Sequence, residues 1–156
     1  MILTYKIKHN RDYTDELEKA RKVAKFVLKQ RTFSSKNVKH IGLKSMIANQ
    51  ILRKYGRNKK VKRIRSVNLI IPNQGIKVDK KARSIRIPCL KLSFEYQFPN
   101  KFTKINQIEV NNQFIFVSVS IPEAKPIDNN NKWIGIDLNT TGHCAVVGIP
   151  ETGKIY

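Results

Sequence analysis

The chain is 156 residues long and carries 31 Lys+Arg against 11 Asp+Glu, a formal charge of +20. An apolar fraction of 40% with 13 aromatic residues supplies a modest core and excludes a wholly disordered basic tail. No apolar run approaches the ~20 residues of a membrane-spanning helix, residues 1–10 lack a signal-peptide core, and Cys89 and Cys144 make neither a disulfide framework nor a zinc site.

Residues 2–8 are short and β-prone and predict a strand. Over residues 12–31 the period changes. Leu17, Ala20, Ala24, Val27 and Leu28 recur at helical spacing. Thr14 is placed to cap the start, and Asp15 and Glu16 put acid where the helix dipole favours it. Lys19, Arg21, Lys22, Lys25 and Lys29 occupy the other faces. Residues 32–37 read as a turn. A second helix follows, with Leu43, Met46, Ile47, Gln50 and Ile51 along one stripe and Gly56 as its C-terminal stop.

Next comes Arg57-Asn58-Lys59-Lys60-Val61-Lys62-Arg63-Ile64-Arg65, with six basic residues in nine. A charge run is usually a solvated segment. This one contains Arg, whose planar fork suits phosphate, and it leads directly into a strand that would hold it in place. The candidate nucleic-acid contacts are Arg53, Lys54, Arg57, Lys59, Lys60, Lys62, Arg63 and Arg65.

From Ser66 onward the pattern is β. Strands are predicted over 67–71, 75–79, 84–88, 90–98, 105–110 and 114–121. Short strands with frequent turns suggest a small closed or partly closed barrel. The first strand would join it, with the two helices inserted between its first and second strands. Residues 122–131, rich in Pro, Asp and Asn, read as a linker.

Residues 132–149 read as strand, turn, strand. The first strand is apolar except for Asp137. A carboxylate among apolar neighbours is costly without compensation, and a divalent metal such as Mg²⁺ is the usual one. Gly135 permits close approach of a substrate or another chain, and Asn139, Thr140, Thr141 and Gly142 make a tight return. His9, His40 and His143 are dispersed and take no role; Cys89, Cys144 and Trp133 read as packing residues.

The charge is not evenly spread. Residues 1–88 hold 25 Lys+Arg and 5 acids, whereas residues 89–156 hold 6 of each. Polyanion binders concentrate charge in this way. Nucleic acid is favoured over a membrane surface, because no basic helix pairs with the Trp/Phe-rich face that lies in a lipid interface. The expected setting is cytoplasmic and nucleoid-associated, with no membrane partner.

Gly135-Ile136-Asp137-Leu138, followed by a turn and a second apolar strand, resembles the first motif of a RuvC-type, RNase H-like nuclease. Upstream, the segment from Ala48 to Arg57, the run Ser84-Ile85-Arg86-Ile87-Pro88 and the 114–121 strand are similar to the N-terminal half of TnpB (OrfB) proteins. These are transposon-encoded, RNA-guided nucleases related to type V CRISPR effectors. The resemblance covers nearly the whole chain; its single motifs are short, and their order is the specific part.

The resemblance implies an α+β protein. Residues 1–10 would be the first strand of a wedge-like, OB-like β-barrel, 11–57 a two-helix recognition insertion, 58–125 the rest of the barrel, and 132–156 the first hairpin of an RNase H-like domain. It implies guide RNA and DNA as partners and Asp137 as the first catalytic and metal-holding aspartate. The Mg²⁺ ions belong to a complete nuclease, where paired metals activate water and stabilise the leaving oxygen. The family's further Glu, further Asp and zinc-binding cysteines do not match anything after Asp137, and Asn139 stands where Gly is common. The nuclease site is therefore expected to be incomplete in this chain, with a missing C-terminal half. Two other readings stay open: a stand-alone, nuclease-derived binding or regulatory protein, and an actin-like ATPase fragment, whose phosphate-loop strand Gly135-Ile136-Asp137-Leu138 also resembles. The alternative for Asp137 is an edge-strand acid facing solvent.

Overall fold

The computed structural model describes residues 1–30, 34–58, 60–99 and 101–122, together with the backbone of 135–137, 146–149 and 154–155. The chain divides into two units, Met1–Glu123 and Ala124–Tyr156.

In the first unit, β1 (Ile2–Lys8) leads into α1 (Thr14–Gln30). The helix starts one residue earlier than a Thr14 cap would give. The Asp12 carboxylate accepts both the Thr14 N–H and the Thr14 hydroxyl, at 2.9 and 2.6 Å. Those two bonds, the hydroxyl's first, hold the Asp12 carboxyl below its ordinary value. Ala20, Val23, Ala24 and Val27 are buried along one stripe. Full burial of a Val side chain contributes about 1.5–3 kcal/mol.

A 3-10 turn, Ser35–Ile41, follows where the sequence suggested only a polar turn. Ser34 caps it by accepting the Lys36 N–H, and Gly42 ends it at φ +76°, a left-handed backbone suited to glycine. Helix α2 (Ser45–Arg57) buries Ile47, Ala48, Ile51, Leu52 and Gly56. Gly56 thus lies inside the last turn, and the helix stops at Asn58 instead.

Two antiparallel sheets complete this unit. One has four strands in the order β1-β7-β6-β2, with β2 at Leu69–Pro72, β6 at Lys104–Val110 and β7 at Phe114–Ser120. The other has the order β3-β4-β5, from Lys77–Asp79, Ser84–Ile87 and Leu92–Glu95. Period-2 alternation places Ile115, Val117 and Val119 of β7 in the core. One apolar cluster joins both helices and both sheets. The register of β6 shifts between Ile105 and Gln107, a bulge at Asn106.

The barrel expected from the sequence is not closed among the described strands. β1 and β2 are the two ends of the four-stranded sheet, and no described ladder joins it to the three-stranded one. The 90–98 run explains part of this. Pro88–Leu90 forms a 3-10 turn that ends at Lys91 in the left-handed region, φ +48°. The strand proper runs only to Glu95, and the Tyr96 N–H bonds the Arg83 carbonyl at the next position of the same hairpin. Pro72 closes β2, with no N–H to extend a ladder.

The second unit contains an antiparallel sheet of order β10-β9-β8, from Gly135–Asp137 (β8), Val146–Ile149 (β9) and Lys154–Ile155 (β10). Asp137 pairs with Val146, and β10 adds a third strand to the expected hairpin. The 122–131 linker beyond Pro122, the return at Asn139, and Trp133, His143 and Cys144 lie outside the described residues.

Candidate nucleic-acid interface

The basic segment after α2 is held at both ends. Asn58 accepts the Lys60 N–H on its side chain (3.1 Å) and the Val61 N–H on its carbonyl (3.3 Å). Ile64 packs half-buried against the core, and Val67 is buried. Asn68 donates to Glu109 at 3.0 Å. Between these anchors Lys60, Lys62, Arg63 and Arg65 are exposed. The backbone is thus fastened by its apolar and amide side chains, and the cations are left on the surface.

Lys62, Arg63 and Arg65 line a groove of about 520 Å³ whose opposite wall is α1, through Lys25, Leu28 and Lys29. Among the described residues, no carboxylate lines it. Lys25 and Lys29 also line a second groove of about 520 Å³, with Lys22, Phe26, His40 and Ile41. The two lysines therefore form a cationic ridge between two depressions. Among the described residues, ion pairs join Arg21 to Glu18 and Lys54 to Glu109, and none engages Lys25, Lys29, Lys62, Arg63 or Arg65.

The remaining candidates separate. Lys54 donates to Glu109 at 2.9 Å, and the same carboxylate accepts from Asn68 and Gln107. Its charge is largely answered within the fold. Arg53 lies in a different groove, with Asn49, Gln50, Asn73, Gln74 and Asn106. Arg57 is exposed at the end of α2, and Lys59 lies outside the described residues.

Sequence reasoning did not bring Lys25 and Lys29 together with the 62–65 cations, although a signal existed. Lys22, Lys25 and Lys29 recur three and four residues apart, which puts them on one face of α1. On the same helix Arg21 is not free to contribute. Its guanidinium bonds Glu18 at 2.8 and 3.1 Å, which lowers the Glu18 carboxyl and raises Arg21.

The side chain of Asp137 falls outside the described part of the structure; its backbone ends β8. Among the described residues, no three His, Cys, Asp or Glu come together as a metal site would require. No described helix is long and apolar enough to cross a membrane. No protein-family model matches the chain, and no curated protein matches it either.

Proposed function

We propose that the first unit binds nucleic acid through the groove between α1 and residues 62–65, as the recognition lobe of a TnpB-like, RNA-guided DNA endonuclease. The observation that carries the binding is the groove itself: Lys25, Lys29, Lys62, Arg63 and Arg65 line one depression with no acid among its described lining residues. Phosphate contacts of this kind dominate nucleic-acid affinity and make it salt-dependent. Leu28 and Ile64 line the groove beside the cations.

The family assignment draws on the order of elements. A strand, a two-helix insertion, short strands and an apolar strand ending in Asp137 follow one another as in that family. In this reading the two open sheets of the first unit correspond to an OB-like, partly open barrel. The β8–β9 pair would open an RNase H-like fold, and Asp137 would contribute one carboxylate to the Mg²⁺ of a complete nuclease. Guide RNA and flanking DNA are the partners.

The test is a salt titration of duplex RNA and duplex DNA binding by fluorescence anisotropy. Replacing Lys62, Arg63 and Arg65 together by Gln should weaken binding. It should also reduce the slope of log affinity against log salt by about 2.7, at ~0.9 per lost phosphate contact. Preference for structured RNA over duplex DNA supports the guide-RNA assignment. An unchanged slope in the triple variant removes the groove from the interface.

A further inference from the structure

Another depression, of about 470 Å³, lies at the three-stranded sheet, and its chemistry differs from that of the groove beside α1. Its lining includes Lys80, Arg83 and Lys101 together with Tyr96, Phe98 and Phe102, and again no carboxylate among the described residues. The volume is within the ~300–1,000 Å³ of small-ligand sites.

The aromatic residues are locked against one another. Tyr5 stacks on Phe98 with centroids 4.3 Å apart and planes 10° from parallel, which covers one face of that ring. Phe102 stands edge-on to both Tyr96 and Phe98, at 5.5 and 5.7 Å. Phe98 and Phe102 are only half-buried. Lys80 lies over Phe102 with its Nζ 5.9 Å from the centroid, at the edge of cation–π reach.

The rim is also fixed. The Asp79 carboxylate accepts the Lys81 and Ala82 N–H groups at 2.9 and 3.0 Å, which folds the β3–β4 turn. Arg83 closes that turn at φ +47°, a backbone that non-glycine residues adopt rarely. Its carbonyl is held by the Tyr96 N–H at 2.9 Å. Arg83 is thereby set on the same short turn as Lys80, facing Lys101 across the depression.

Half-exposed rings bordered by cations that lack acids are the arrangement by which proteins hold unpaired nucleotides, with base on ring and phosphate on cation. We propose that this groove holds an unpaired nucleotide of a single-stranded segment, its base against Phe102 and its flanking phosphates on Lys80, Arg83 and Lys101. The inference rests on the nucleic-acid reading above and gives that reading a second, chemically distinct contact.

The test compares a labelled 12-mer oligouridylate with a duplex RNA by fluorescence anisotropy. Phe102→Leu keeps an apolar side chain and removes the stacking face. It should weaken oligouridylate binding on the order of 10-fold and leave duplex binding within about 2-fold. Lys80→Gln with Lys101→Gln should lower the oligouridylate salt slope by about 1.4, at ~0.7 per single-strand contact. Should Phe102→Leu lose its far-UV circular dichroism, Arg83→Gly takes its place. Glycine accepts the left-handed backbone, so the turn persists without the guanidinium, and the same selective loss is expected. Oligouridylate binding unchanged in these variants, or duplex binding weakened as much, overturns the proposal. Wild-type protein that binds duplex but not oligouridylate overturns this groove alone. Protein that binds oligouridylate but not duplex removes the first groove and leaves this one.

Discussion

The groove beside α1 and the groove at the β3–β4 turn are both lined by cations, five in the first and three in the second, and differ in what lies between those cations. Leu28 and Ile64 line the one beside α1, whereas Tyr96, Phe98 and Phe102 line the one at the β3–β4 turn. Aliphatic side chains offer a base nothing beyond burial, so the first groove suits the backbone of a duplex. Aromatic faces offer stacking, so the second suits a strand whose bases are free. Cations are common to both grooves; the residues between them set the chemistry apart.

The largest effect that bears on this comparison comes from the shared core. Ile51 of α2 is fully buried in the apolar cluster that joins the helices to both sheets. Ile51→Ala should cost ~2–5 kcal/mol, a large share of the ~5–15 kcal/mol that holds a domain together. A thermal melt followed by circular dichroism should show one transition at a lower midpoint, with duplex and oligouridylate binding lost together. Survival of one binding activity above that midpoint would separate the grooves into independent folding units.

A smaller and more selective effect belongs to the cationic ridge. Lys25→Gln with Lys29→Gln should lower the duplex salt slope by about 1.8 and spare oligouridylate binding, as read by anisotropy. Equal losses for both ligands would merge the two grooves into one surface. Smaller still is Lys54→Gln. Its Glu109 partner already answers the charge, so binding should change less than about 2-fold. Stability should fall by no more than the ~0.2–1 kcal/mol of an exposed pair, measured by chemical denaturation.

The slightest effect is acid dependence at the start of α1. Hydrogen bonds hold the Asp12 and Glu18 carboxyls below their ordinary values of 3.8 and 4.5. Their contribution is therefore complete above those values and fades as pH falls through the lower folded-state ones. Arg21→Gln should flatten the decline of melting temperature below pH 4.5 that Glu18 causes. An unchanged profile would mean the Glu18–Arg21 pair adds nothing, as many exposed pairs do.

Much of the scaffold was legible because its signals are local. The 3.6-residue period of α1, the stripe of α2 and the alternation of β7 each sit within a few turns of chain. The Ser35–Ile41 turn, the bulge at Asn106 and the late start of β5 were not legible. They depend on a Ser34 cap, a register shift and a left-handed Lys91, none of which alters hydrophobic period. The site was half legible. Lys62, Arg63 and Arg65 stand out as a run, but their neighbours Lys25 and Lys29 lie more than thirty residues away in sequence and meet them only by helix packing. Lys54 looked equivalent to the others until Glu109, also distant in sequence, was found to engage it.

Lysine-reactivity footprinting tests the central claim most directly. The full chain would be acetylated with and without a saturating structured RNA, and each lysine followed by peptide mass spectrometry. Strong protection of Lys25, Lys29 and Lys62 is expected, with Lys54 little changed. Reactivity at Lys25, Lys29 and Lys62 that stays at its free-protein level while RNA is bound would contradict the account.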